Sequence, residues 1–360
     1  MITLSQYHNK TIGVFGLGIS GQATIAALLA GGADVYAWDD KQESVAKAQE
    51  ACPKAKFKAV EHWPWKKMEM LVLSPGIPLT HPEPHFVVTA ATVHGCRITG
   101  DIELLAEAAP DATFIGITGT NGKSTTTALV AHILQSAGVQ YQVGGNLGMP
   151  ALGLKYLGKG GVYVLEVSSY QLDLLSSLIF NIAALINITP DHLDRHGGME
   201  GYITAKKRVF GGQRATDTAI VGIDTEPTKK IWQELRKGDN RYTWQGAHAK
   251  VVGVSTRRVP AEGLGVAGGI IDDPAAAVKL DINGIPSLLG EHNWQNAGIA
   301  YAICRAVGIA PLDILAGMKS FGGLAHRMKL AGQKGELRFV NDSKATNAEA
   351  TENALKAFED

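Results

Sequence analysis

The string Thr118-Gly119-Thr120-Asn121-Gly122-Lys123-Ser124-Thr125 has the composition of a polyphosphate site. It follows an apolar run and precedes a helix-forming stretch, so successive backbone N–H groups can converge into an anion nest. Lys123 then reaches the terminal phosphates, and Ser124 offers a hydroxyl to Mg²⁺. A strict phosphate loop requires Gly at position 117, where Ile stands between Gly116 and Gly119. The loop is therefore a variant, and the chemistry it points to is ATP binding.

A polyphosphate metal needs oxygen ligands. Glu166 closes the apolar run 162–165, where it is either a Mg²⁺ ligand or a surface acid on an edge strand; spacing leaves both open. Asn146, after Gly144-Gly145, is either a turn residue or an oxygen ligand. His192 and His196 are four apart and could share a helical face, as zinc ligands do, but the Glu beside the first His of a zinc protease is absent. A histidine near phosphate and Mg²⁺ remains open. Lys206-Lys207-Arg208 reads by spacing as a solvated basic helix face.

A second glycine string, Gly16-Leu17-Gly18-Ile19-Ser20-Gly21, also joins a strand-like run to a helix-like one. This is the setting of a dinucleotide fingerprint, in which small residues admit a diphosphate to a helix N-terminus. Asp39, at the end of the next strand-like run, could bind a ribose hydroxyl. The pattern favours NAD over other diphosphates when taken alone, yet its physics does not separate NAD from a UDP-sugar.

The elements that must hold these loops are legible in outline. Strand-like runs at 11–15, 34–38 and 70–73 alternate with helical stretches, predicting a parallel sheet covered on both faces. A second α/β unit opens with a strand at 112–117 and a helix at 123–137, followed by strands at 162–167 and 182–188. From 251 to 289 short runs broken by Gly and Asn-Gly suggest hairpins, and 290–308 reads as a helix. The end of the chain offers one strand at 337–340 and one helix at 348–358, too little to bury its own apolar faces. The expected fold is α/β, with a Rossmann-like domain at 1–101 and a P-loop-type ATPase domain with a smaller β-rich part at 102–323. Residues 324–360 would be the start of a third Rossmann-like domain.

The chain has 360 residues, about two domains' worth. Apolar residues are 45%, enough for several cores, and 34 basic residues balance 34 acidic ones. That balance leaves no global field for a nucleic-acid backbone. Cys52, Cys96 and Cys304 are odd in number and widely spaced, which favours a reducing compartment over a disulfide framework. The first ten residues lack a signal's apolar core, and the most apolar stretch, 178–188, is interrupted by Asn181 and Asn187. The expectation is a cytoplasmic protein without membrane insertion.

These pieces in this order resemble the Mur ligase family, which adds amino acids to the bacterial cell-wall precursor. The resemblance rests on the loop 118–125, Leu165-Glu166-Val167-Ser168-Ser169, Asp191-His192-Leu193-Asp194-Arg195, His292-Asn293-Trp294-Gln295-Asn296-Ala297 and His326-Arg327. The string Asp342-Ser343-Lys344-Ala345-Thr346-Asn347 resembles that of the members adding D-glutamate. It implies that Gly16 to Gly21, with Asp39, Ser74-Pro75-Gly76 and Asn146, seat UDP-N-acetylmuramoyl-L-alanine. Gly119 to Thr125 would bind ATP, assisted by Asn296, Arg327 and Asp342. Ser124, Asn146 and Glu166 would hold one Mg²⁺, while His192 and a carbamylated Lys206 would hold a second. Lys123, His192, Lys206 and Lys344 would be catalytic, with Lys344 and Thr346 near the incoming D-glutamate. The family often carries Thr-Arg after the acid matched by Asp39, whereas this chain has Asp40-Lys41. The resemblance also implies a longer third domain, so the 360 residues are expected to bind precursor and turn over poorly. A bacterial, monomeric ligase working through an acyl phosphate is the reading that follows. Its rivals are an NAD-linked oxidoreductase, a non-catalytic nucleotide-binding protein and a Mur-type ligase for another amino acid.

Overall fold

The computed structural model describes residues 1–238, 249–345 and 348–356. The chain divides into two compact units: 1–114, 142–179 and 190–208 form the first, and 115–141, 180–189 and 209–360 the second.

The first unit opens with β1 (Thr11–Phe15), β2 (Asp34–Trp38), β3 (Lys56–Phe57), β4 (Met68–Leu73) and β5 (Arg97–Thr99). They form a sheet in the order β3-β2-β1-β4-β5, with β1 parallel to both neighbours. Ile12, Val14 and Phe15 are buried, as expected of a parallel strand covered on both faces. One face packs Phe15, Leu71 and Leu73 against Trp63 and Val87. Each such side chain contributes about 1.5–3 kcal/mol through burial. A Cβ on Gly13 would stand 2.5 Å from the Trp63 ring, which explains a glycine inside a central strand.

The remaining strands are β6 (Thr113–Thr118), β7 (Tyr141–Gly145), β8 (Val162–Glu166), β9 (Ile182–Leu185), β10 (Thr218–Gly222), β11 (Lys250–Ser255), β12 (Gly263–Ala267), β13 (Ile270–Asp273), β14 (Val278–Asp281), β15 (Lys329–Lys334) and β16 (Leu337–Asn341). In the first unit β8 neighbours β7; in the second the order runs β14-β13-β12-β11-β10-β9-β6. The helix Lys123–Ser136 follows β6 and packs against the helix Glu291–Val307, which is buried over most of its length and ends on a left-handed Gly308.

Two expectations need correction. The region 251–289 is not all hairpins: β11 runs parallel to β12, and only β12–β13 and β13–β14 are antiparallel. A parallel pair needs its crossover, which residues 256–262 make without a helix. The strand near 337 is not alone either, since β15 pairs with it antiparallel. Its exposed, Lys- and Gly-bearing sequence gives little apolar alternation. The final helix is Ala348–Lys356, and positions 357–358 of the expected helix lie outside the described residues. The three cysteines are free and buried. Among the described residues no helix is long and apolar enough to cross a membrane.

Glu103, on the helix Asp101–Ala108, shows how the first unit is tied together. Its carboxylate is fully buried and accepts N–H bonds from Ser176 (3.1 Å), Ser177 (2.7 Å) and Leu178 (3.3 Å), and both serine hydroxyls. Burial pushes its pKa up, but these donors outweigh that effect and hold it below the ordinary value. A depressed carboxylate pKa stabilises the fold above the unfolded value and loses that contribution as pH falls through the folded one. Glu103→Gln is therefore expected to lower Tm clearly at pH 7, with the difference from wild type shrinking below about pH 4. A melting series from pH 7 to pH 3 checks this; a constant difference would contradict it.

Candidate functional site

In the first unit, the order β3-β2-β1-β4-β5 puts a crevice outside the carboxyl ends of β1 and β4, where ligands of such sheets bind. Gly16 follows β1 with φ +90°, and its carbonyl accepts from Ser74 Oγ at 2.7 Å. A Cβ on Gly16 would lie 2.5 Å from that of Ser74, so the close approach requires glycine. The helix Ile19–Ala30 begins at Gly18 with no side-chain cap, leaving its first N–H groups for an anion. Asp39 braces the loop, accepting from Leu17 N at 2.6 Å and Lys41 N at 2.8 Å. Beyond the Ser74-Pro75-Gly76 turn, the Gly76 carbonyl accepts from Arg195 Nη2 at 3.2 Å. Asp40 pairs with His85 Nε2 at 3.0 Å.

The same unit contains a polar cluster. Glu166 closes β8 and is 2% exposed, so it is not a surface acid on an edge. Its Oε1 accepts from Asn146 Nδ2 at 2.7 Å, whereas Oε2 is buried with no hydrogen-bond partner. A buried carboxylate oxygen without a donor is what a cation would satisfy, so these residues fit a Mg²⁺ ion. His192 and His196 do not share a helical face: His192 has φ +50°, and only the short 3₁₀ turn Leu193–Arg195 separates them. His192 stays half exposed, 3.5 Å from the Asp191 carboxylate. His196 is buried, and burial, followed by the charge of Lys206, pushes its pKa down to about 4. Lys206 and Lys207 are not solvated either, being 1% and 7% exposed near the end of the helix Met199–Lys207. Helical spacing alone does not reveal that this end is buried. Among the described residues, no group of three or more His, Cys, Asp or Glu forms a ready metal cage.

In the second unit, the loop after β6 makes a sharp turn into the helix Lys123–Ser136, whose cap, Gly122, has φ +85° and offers no side chain. A Cβ there would come within 2.2 Å of Asn296 Oδ1. Lys123 Nζ folds back onto the carbonyls of Gly119 (2.9 Å) and Thr120 (2.7 Å). Arg327 Nη2 donates to Ser124 Oγ at 3.0 Å, and Thr126 Oγ1 donates to Asn296 Oδ1 at 3.3 Å. Arg327 stands between His326 and Met328, both at positive φ, in a turn where Asp342 accepts from Met328 N at 3.1 Å. Lys344 N donates to the His326 carbonyl at 3.2 Å. Thr346 lies outside the described residues.

Sequence reading missed the partner that holds this loop. Asn187 Oδ1 accepts from Thr120 N (3.1 Å) and Asn121 N (2.9 Å), and Thr120 Oγ1 exchanges hydrogen bonds with the Thr189 backbone. The available signal was a polar residue directly after an apolar strand, whose partner across the sheet only the fold could identify. Asn187→Ala should weaken Mg²⁺-bound non-hydrolysable ATP about 10-fold, or ~1.4 kcal/mol, by calorimetric titration. Gly122→Ala should weaken it further, because the loop must move away from Asn296. Unchanged affinity in both variants would contradict this account of the loop.

Comparison with known proteins agrees with this geometry. Residues 10–100 match the Mur ligase MurD-like N-terminal domain, and residues 117–304 the Mur ligase middle domain. The UDP-N-acetylmuramoylalanine–D-glutamate ligase of Caulobacter vibrioides is 45% identical over 368 residues, covering 99% of this chain and 76% of that one. The enzyme of the same name from Rhodospirillum rubrum is 46% identical over 366 residues, covering 100% and 75%. Among solved structures, UDP-N-acetylmuramate-alanine ligase MurC of Thermotoga maritima superposes with a TM-score of 0.55 at 19% identity, covering 98% of this chain and 79% of that one. MurF of Acinetobacter baumannii does so at 0.56 and 18%, covering 99% and 70%. These two likenesses speak for the fold. By the domains it matches and the extent of its identity to these relatives, the chain belongs to the Mur ligase family.

Proposed function

We propose that the protein joins D-glutamate to the L-alanyl carboxylate of UDP-N-acetylmuramoyl-L-alanine, driven by ATP, in peptidoglycan precursor synthesis. The observation that carries the ATP reading is the turn 118–125, braced by Asn187 and bearing Lys123 and the Arg327-bound Ser124. The D-glutamate reading is supported by the relatives' names and by the string 342–347.

Joining a carboxylate to an amine near neutral pH requires an activated carboxylate. In this reading the L-alanyl carboxylate attacks the γ-phosphate of ATP, ADP leaves, and the acyl phosphate is attacked by the D-glutamate amine with release of phosphate. Lys123 neutralises charge on the transferred group. Gly119 to Thr125, with Asn296, Arg327 and Asp342, bind ATP. Gly16 to Gly21, Asp39, Ser74-Pro75-Gly76 and Asn146 seat the precursor, and Lys344 and Thr346 receive the amino acid. Ser124, Asn146 and Glu166 would hold one Mg²⁺, and His192 with carbamylated Lys206 a second; such ions offset phosphate charge. Carbamylation turns the buried Lys206 amine into an anionic oxygen donor, the kind magnesium takes. The functional division is 1–101 for the precursor, 102–323 for ATP and 324–360 for the amino-acid side. The enzyme works as a monomer in the bacterial cytoplasm.

ADP release by the intact enzyme with precursor, ATP and Mg²⁺, assayed against a panel of amino acids, tests the assignment, whereas the 360 residues by themselves are expected to turn over poorly. Dependence on D-glutamate is expected, with Lys123→Ala reducing the rate at least 100-fold; equal rates with other amino acids would refute it. Positional isotope exchange in ATP with precursor alone reports the acyl phosphate. NADH displacing a UDP ligand from the first loop would favour the oxidoreductase reading.

A further inference from the structure

Tyr202, on the helix Met199–Lys207, is placed between a histidine and a lysine of the first unit. Its ring centroid is 5.4 Å from that of His196 and 4.7 Å from Lys206 Nζ. The His196 ring is stacked on Tyr170 on another side, with centroids 5.3 Å apart and planes inclined by 10°. Its edges are held as well: Nε2 is 2.9 Å from Ser169 Oγ, and Nδ1 is 3.5 Å from the Asp173 carboxylate, which also faces Arg208 Nε at 3.3 Å. The backbone is equally constrained. A Cβ on Gly201 would lie 1.8 Å from the His196 carbonyl oxygen, so glycine there lets the turn rest directly on the helix. The sequence pattern left His196 as one half of an unsupported zinc pair, and nothing in the proposed reaction uses it.

We propose that His196 is a positioning residue for Lys206: wedged between Tyr170 and Tyr202, it fixes the Tyr202 ring, and that ring fixes the lysine amine. A buried ring stacked on Tyr170, tilted by 45° against Tyr202 and contacted at both ring nitrogens has little freedom to turn, and an amine above an aromatic face is located by that face. The link to magnesium rests on the carbamate reading of Lys206; the link to the amine itself does not.

Two measurements on the full chain separate these. Trace acetylation with acetic anhydride, read by peptide mass spectrometry, reports how accessible the Lys206 amine is. Carbon-13 NMR in labelled bicarbonate reports its carbamate, with Lys206→Ala as the blank. His196→Ala is expected to raise Lys206 acetylation at least 5-fold and to lower the carbamate signal at fixed bicarbonate at least 3-fold. His196→Phe, which keeps a ring between the two tyrosines without the contacts to Ser169 and Asp173, should stay within 2-fold of wild type in both. Where the alanine variant does not fold, His196→Leu, which fills the space without a ring, takes its place. Unchanged acetylation in the ringless variant, or equal changes in the ringless and Phe variants, overturns the proposal. A wild-type protein with no carbamate signal overturns the carbamate reading, and acetylation then decides the positioning role by itself.

Discussion

A backbone N–H that is to receive phosphate must be left without a partner inside the protein, so the turn that presents it has to be held by other means. Both glycine turns are held by polar groups from elsewhere in their own unit. In the turn 118–125, Asn187 takes the amides of Thr120 and Asn121, and the Thr189 backbone takes the Thr120 hydroxyl. The helix that follows starts on Gly122, which offers no side-chain cap. In the turn 16–21, Asp39 takes the Leu17 amide and Ser74 the Gly16 carbonyl, again leaving an uncapped helix start. In each case the polar residue comes from the end of a neighbouring strand, because parallel strands deliver their carboxyl ends to one edge.

The buried charged groups of the first unit separate by whether their partners are complete. Glu103 is enclosed by donors that satisfy both oxygens, and its role is to join the helix Asp101–Ala108 to the segment 176–178. Glu166 is buried to a similar degree but has one oxygen satisfied and the other without a donor. Since an unmet buried carboxylate oxygen costs several times what a typical hydrogen bond contributes, such an atom marks a place for a cation. His196 illustrates a third case, an imidazole that burial keeps neutral and that serves through its shape.

Much of the fold was legible because glycine turns and apolar runs are local. The run 11–15, the glycine string after it and the run 34–38 each coincide with observed elements. So does the helix after Gly122, since a left-handed glycine followed by Lys-Ser-Thr announces its own start. The β11–β12 pairing and the strand Lys329–Lys334 were not legible. A parallel crossover without a helix and an exposed hairpin strand carry no periodic apolar signal.

The amino-acid sequence alone determined which atoms are on offer: an amide-rich turn with a lysine, a second glycine turn, and a scatter of acids, histidines and lysines. It also determined the family, because those strings recur in a particular order. Tertiary structure decided which of the scattered groups are buried and whom they meet. Spacing favoured Lys206 and Lys207 in water, left Glu166 open between an edge acid and a metal ligand, and allowed the two histidines one helical face; the fold buries the first three and parts the histidines. The physical reason is that burial and partner choice are set by contacts far apart in the chain, such as Asn187 with Thr120 or Arg327 with Ser124, and no local pattern encodes them.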